Sequence, residues 1–249
     1  SDGLAPTDQP PSESNPALDA ELFYEIFLGE ISSRTGDPGA GYAFMLEAAR
    51  RSADGQLYQR AADIALQSRS GEYALAAAKA WKEALPQSRE ANRYVLQILV
   101  ALNRIGETPE LLRQELSQSP PRSKAATLAA LPQMYGRASD KTLAAKVVEE
   151  ALADELNNPA TGPVAWVSLG RLRLAAGDKS GALDAAQKAQ ALDNANDGAA
   201  RLALNLMEES TPQAEFLVTQ ALSKQPAPEL RMAYARVLLD LQRHDDASG

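Results

Sequence analysis

Arginine is the residue type through which this chain can offer recognition chemistry. Arg34, Arg69, Arg104 and Arg137 recur at spacings of 35, 35 and 33 residues, and Arg171 follows after a further 34. A guanidinium is a planar fork of donors that matches a carboxylate, so a row of them can receive acidic side chains of a bound chain. A second reading is local: a cation in the last turn of a helix complements the helix dipole, by about 0.3–1 kcal/mol each. Catalytic chemistry is harder to find. His244 is the single histidine and stands beside Asp245 and Asp246 near the end of the chain, so no surrounding structure fixes it for a Ser-His-Asp site. The pairs Glu149-Glu150, Glu208-Glu209 and Asp245-Asp246 are adjacent in sequence. On a helix such neighbours point about 100° apart and form no paired acid–base site. With no cysteine, disulfides, thiol catalysis and the usual zinc ligand sets are excluded from these residues. No glycine-rich phosphate loop occurs. The expectation is a non-enzyme with no metal and no cofactor.

Composition narrows the partners. The net charge of −8 argues against nucleic acid, which needs a dense basic face. No run of 18 apolar residues occurs, so no segment is expected to span a membrane. Hydrophobic residues make up 45% of the chain but aromatics only 5%, so Ala and Leu must supply the buried surface. Residues 1–19 are rich in Pro, Ser and Asp and cannot bury enough apolar area to offset their ordering entropy. They are expected to form a flexible leader, read either as an ordinary terminus or as the tether of a lipid-anchored protein.

The elements that must position the arginines are helices. From Ala20, the residues Leu22, Phe23, Ile26, Phe27 and Ile31 lie on one helical stripe with Gly29 as a small contact point. Asp37-Pro38 restarts the chain as N-cap plus first-turn proline, and Tyr42, Met45, Ala48 and Ala49 mark the apolar face of the second helix. The same punctuation returns at Thr108-Pro109 and Thr211-Pro212. Five further helix pairs are expected: 58–69 with 72–85, 90–104 with 108–118, 124–137 with 141–156, 164–175 with 179–192, and 199–209 with 212–224. A seventh opening helix, 229–242, leads to an expected turn at 243–247. Gly41, Ala76, Leu111, Ala144, Ala182 and Ala247 then recur about every 34 residues as one repeated second-helix position. Stopping inside a repeat suggests a piece of a longer array. Pro132 is expected to kink its helix, and 157–163 to form an unusually long connection, read as an ordinary loop or, alternatively, as a separator of two sub-arrays.

The clearest copy of the unit carries Trp166, Leu169 and Gly170, then Gly177-Asp178, Ala182 and Leu192-Asp193. This stretch resembles the tetratricopeptide repeat, and the resemblance implies an all-α, right-handed α-solenoid over residues 20–249. It would stack antiparallel helix pairs, about six and a half of them, whose groove binds a protein or an extended peptide. Arg201 and Asn205, like Arg93 and Gln97, offer only fragments of the carboxylate clamp known in chaperone-binding members, so the clamp is not carried over; Arg201 and Asn205 stand beside the five arginines as candidates for the partner-binding groove. Residues 20–88 carry a narrower likeness, in Leu22-Phe23-Tyr24-Glu25-Ile26, Ser33-Arg34-Thr35-Gly36-Asp37, Tyr58 to Leu66 and Ala80-Trp81. They resemble the opening repeats of proteobacterial outer-membrane lipoproteins that act as adaptors for a carboxyl-terminal processing protease. That resemblance implies a periplasmic scaffold tethered to the outer membrane through a lipid anchor placed upstream. A cytoplasmic docking or chaperone module is the alternative.

Overall fold

The computed structural model describes residues 16–207 and 211–248 and contains no strand among them. The chain is all-α, a helical-repeat fold of the solenoid class made of successive helix hairpins. The helices are α1 (Pro16–Arg34), α2 (Pro38–Ser52), α3 (Gly55–Gln67), α4 (Gly71–Ala84), α5 (Arg89–Ala101), α6 (Pro109–Gln118), α7 (Pro121–Tyr135) and α8 (Lys141–Ala151). A four-residue helix, α9 (Ala153–Leu156), precedes α10 (Gly162–Ala175), α11 (Lys179–Leu192), α12 (Asp197–Asn205), α13 (Pro212–Lys224) and α14 (Pro228–Ser248). Two compact units divide the chain, Ser1–Ile98 and Leu99–Gly249. The division falls inside α5 and not at 157–163, of which 157–161 is a turn segment between α9 and α10.

One device closes the turns inside four of the pairs. Gly36, Arg69, Asn103 and Gly177 adopt left-handed backbone, with φ of 89°, 58°, 59° and 81°. The next amide then donates to the carbonyl five residues back, Asp37 to Ser32, Ser70 to Ala65, Arg104 to Leu99 and Asp178 to Arg173, at 2.8–2.9 Å. This arrangement satisfies helix-end carbonyls and reverses the chain in few residues. Asp37, Asp140 and Asp178 then cap the following helices through their carboxylates. Thr108 and Thr211 precede a first-turn proline as expected but make no side-chain cap. Their hydroxyls turn back instead, onto the carbonyls of Ile105 and Leu206.

In the first unit, α1 and α2 approach until a Cβ on Gly41 would lie 2.9 Å from the Gly29 carbonyl oxygen, so position 41 needs glycine. The core is small-residue packing around Met45, Tyr58, Ile64 and Trp81, with Ala49, Ala61, Ala62 and Ala77 between them. Arg51 ties α2 to Glu21 and Glu25 of α1. The Arg60 fork holds Glu30 of α1 at 2.8 and 3.0 Å, and that hydrogen bond keeps the Glu30 carboxyl below its ordinary pKa.

The second unit is built around α10. A Cβ on Gly170 would meet Leu202 Cδ2 at 2.5 Å and Ala185 Cβ at 3.0 Å, so glycine lets α11 and α12 close on this helix. Pro132 lies inside α7 and has no amide hydrogen to give the carbonyl of Leu128. The Ser168 hydroxyl, buried on α10, donates to that carbonyl at 2.6 Å. The defect in one helix is thereby satisfied by its neighbour.

Several local expectations are corrected. Ala76 is exposed, and the buried residue four past the turn is Ala74. In the next pair the same place belongs to Leu112, not Leu111. Both slips come from counting a fixed period where inter-helix segments differ in length. Ile105, expected in a plain turn, opens a short 3-10 turn and is buried in the core. The expected turn at 243–247 is helix, because α14 runs to Ser248; that stretch contains no Gly or Pro to stop it. The first helix begins at Pro16, within the stretch read as leader, and residues 1–15 lie outside the described residues. So do Glu208 and Glu209, the end of the expected helix 199–209, and the side chains of His244, Asp245 and Ala247.

Candidate functional site

The equal spacing of the arginines does not translate into equal positions. Arg34 is in the last turn of α1, two residues before the left-handed Gly36. Arg69 is itself the left-handed residue of its turn, and Arg104 follows the left-handed Asn103. Arg137 is exposed and comes just after the C-cap of α7. All four stand at the loop ends of first helices, where a cation meets helix-end carbonyls, but only Arg34 does so within a helix. Arg104 is engaged by Glu107 at 2.6 Å. In the second unit Arg171 is half-buried midway along α10. Arg201 pairs with Asp197 at 2.6 Å and Glu229 at 3.5 Å, and the Asp197 hydrogen bond raises its pKa further. Asn205 is exposed beside a shallow hollow lined by Leu204, Met207, Val237, Asp240 and Leu241. Arg34 and Arg69 belong to the first unit, and Arg104, Arg137, Arg171, Arg201 and Asn205 to the second.

The structure brings forward two other surfaces, both in the first unit. On α1, Phe23 is 71% exposed, Tyr24 60%, Phe27 52% and Ile31 42%. The rings of Phe23 and Phe27 stack with centroids 6.4 Å apart. The stripe expected to be core is therefore split, since Leu22 and Ile26 turn partly inward while the phenylalanines face out. The pattern identified an apolar helix but not which side of it would be covered.

The second surface is a cleft of about 440 Å³ between the start of α2 and the α3–α4 turn, lined by Pro38, Gly39, Tyr42, Ala43, Ala65, Ser68, Ser70 and Tyr73. Tyr42 comes from the expected apolar face of α2, yet it forms a wall. Its hydroxyl donates to the Tyr73 carbonyl at 2.9 Å, and the two rings meet edge to face at 5.5 Å. Burial raises the Tyr42 pKa, while Arg50 nearby opposes the rise. Ser70 occupies the N-cap position of α4 without capping it, which leaves its hydroxyl at the cleft wall. Arg50 and Arg69 are exposed and have no ion-pair partner among the described residues.

Elsewhere the polar chemistry is used internally. Trp166, the repeat's signature aromatic, donates its indole N–H to the Leu156 carbonyl, and the Lys188 ammonium lies 4.6 Å from its ring centre. Among the described residues no group of three His, Asp or Glu could hold a metal ion. No described helix is long and apolar enough to cross a membrane.

No family model and no curated protein matches the chain. Among solved structures it is similar to MamA from Desulfovibrio magneticus RS-1, at 13% identity and a TM-score of 0.33 over 91% of this chain and 97% of that one. It is also similar to PilW, a type IV pilus biogenesis factor, at 16% identity and a TM-score of 0.38 over 90% of this chain and 100% of the other. A thermophilic tetratricopeptide repeat protein of Thermus thermophilus matches at 17% identity and a TM-score of 0.33, over 88% and 99%. The helix-pair assignment itself stands on the turns, caps and core described above.

Proposed function

We propose that the chain is a non-enzymatic scaffold for protein–protein interaction, in the form of a periplasmic, lipid-anchored adaptor that binds a protease of the carboxyl-terminal processing class. The outward aromatic face of α1 carries this reading. Four large apolar side chains grouped on one helix face are far more than the scattered exposed hydrophobics of an ordinary surface, and aromatic anchors dominate binding energy at protein interfaces. Two of them, Phe23 and Tyr24, belong to the segment that resembles the opening repeat of those adaptors.

The test uses the purified chain and a purified carboxyl-terminal processing protease. Saturable binding is expected, and Phe23→Ser with Phe27→Ser together should weaken it at least tenfold, because each side chain is a buried anchor in the complex. The double variant should keep the parent's melting temperature, since both rings are exposed in the free protein. Absence of binding by the parent removes the protease from the proposal. Unchanged binding by a folded double variant removes α1 as the contact face. Labelling with a radioactive fatty acid in cells expressing the gene from its native start tests the anchor.

A further inference from the structure

We infer that the cleft between α2 and the α3–α4 turn is a docking site for an extended, proline-containing, acidic segment of a partner protein. Such a site is one arm of the proposed scaffold and rests on that reading. The apolar lining is the rings of Tyr42 and Tyr73, Pro38, and the methyl groups of Ala43 and Ala65. Small alanine methyls between flat aromatic rings make an open apolar slot. It suits the flat pyrrolidine ring of a polyproline II segment, a conformation already ordered before binding.

The hydrogen-bonding groups agree with that occupant. Polyproline II has no internal hydrogen bonds, so its carbonyls need donors along the groove. Tyr73 is 64% exposed, and the Ser70 hydroxyl does not cap its own helix. Ser68 spends its hydroxyl on the Ile64 carbonyl and the Tyr42 hydroxyl is engaged with Tyr73, so Tyr73 and Ser70 are the donors that remain.

Charge selects the flanks. Arg69 stands between the two lining serines, and Arg50 is exposed two turns beyond Tyr42 on the same helix. Neither has a carboxylate partner among the described residues, whereas Arg51 and Arg60 of the same unit are both paired. On a chain of net charge −8, unpaired arginines beside an aromatic cleft favour an acidic ligand. Arg69 further holds a left-handed backbone, φ 58°, at a place that glycine fills in two equivalent turns. A strained non-glycine residue of this kind points to a role beyond the fold.

The experiment is fluorescence anisotropy of the whole chain with a labelled dodecapeptide built on Glu-Glu-Pro-x-x-Pro-Glu-Glu. Saturable binding is expected. It should weaken roughly tenfold in Tyr73→Ala and with alanine in place of the prolines, in line with the worth of an aromatic contact. Arg50→Gln with Arg69→Gln should weaken it about fivefold or more at low salt, and less at high salt, where exposed charges are screened. A lysine-for-glutamate peptide should not bind. Ala43→Leu, which fills the slot, should abolish binding if Tyr73→Ala proves unstable. Equal binding of the proline-free or charge-reversed peptide, or no effect of Tyr73→Ala and Ala43→Leu, overturns the inference. The protease titration run beside it separates the two readings: protease binding without peptide binding discards the cleft alone, and loss of both discards the scaffold.

Discussion

The two units are built from the same helix hairpin but spend their polar residues differently. Seven of the eight buried polar side chains among the described residues, from Thr108 to Gln190, are in the second unit, against Asn92 alone in the first. Four of the seven, Thr108, Glu155, Thr161 and Ser168, sit at irregularities. Ser168 serves the carbonyl freed by Pro132. Thr108 joins Tyr135 at 2.8 Å below the 3-10 turn. Glu155 on the added helix α9 takes Thr161 at 2.7 Å and Lys124 at 3.1 Å. The alanine-rich first unit needs no such repairs: Tyr58 and Trp81 are buried and Arg51 and Arg60 are paired, while Phe23, Phe27, Tyr73, Arg50 and Arg69 stay exposed. The irregular repeats bury polar groups to hold themselves together, and the regular ones keep part of their aromatic and basic surface open to a partner.

The largest expected effect probes the tightest packing of the second unit. Gly170→Leu should lower stability by about 3 kcal/mol, the upper range for overpacking, because even a Cβ meets Leu202 and Ala185. Gly39→Ala at the cleft edge of the first unit meets only Asp37 Oδ1 at 3.9 Å and should leave stability unchanged or slightly raised. Denaturant unfolding of the two variants checks the contrast, and equal behaviour would break it.

Alkaline pH should act on the second unit through Tyr135. Burial pushes its hydroxyl up to about 12 from an ordinary value of 10.0. A folded pKa above the unfolded one means that this contribution is complete below pH 10 and is lost as pH rises towards 12. The loss is about 2–3 kcal/mol. Tyr135→Phe should flatten that pH dependence in a series of thermal melts, and an equally steep decline in the variant would assign it to other groups.

A smaller effect isolates the proline repair. Ser168→Ala should lower stability by about 1–2 kcal/mol, because it orphans the buried Leu128 carbonyl. On a Pro132→Ala background the restored amide can serve that carbonyl, so the same change should matter far less. Additive losses in this double-mutant cycle would show that Ser168 and Pro132 are not coupled.

Much of the architecture was legible because caps and periodicity are local. Helices α11 and α13 have the bounds that their Asp-led and Thr-Pro starts imply. The misses arose where tertiary structure decided. Ile105 beside a glycine reads as a turn, yet it is buried. The chain from 243 to 247 has turn-like polarity but nothing that stops a helix. The site was less legible. Tyr42 and Tyr73 come from successive second helices, and each alone looks like core or surface. The arginine spacing is regular but does not follow one turn position, because the shared left-handed position is that of Gly36, Arg69, Asn103 and Gly177.

That turn position gives the smallest effect and the sharpest test of the difference between the units. A non-glycine residue in the left-handed region is disfavoured by about 1–2 kcal/mol, while glycine loses about 0.5–1 kcal/mol more backbone entropy on folding. Arg69→Gly should therefore stabilise the protein by about 0.5 kcal/mol. Asn103→Gly, in the second unit, should lose stability instead, because the Asn103 amide donates to the Ser139 hydroxyl at 2.7 Å and accepts from the Ser139 backbone N–H at 3.1 Å. If Arg69 is there for a ligand, the stabilised variant should also bind the acidic proline peptide more weakly, and Arg69→Lys, which keeps the charge but loses the fork, should fall between. Stability gained at the expense of binding is the pattern expected where a residue is held for function. A variant that is more stable and binds as well as the parent would make Arg69 an ordinary imperfect turn residue, and the basic flank of the cleft would then rest on Arg50 alone.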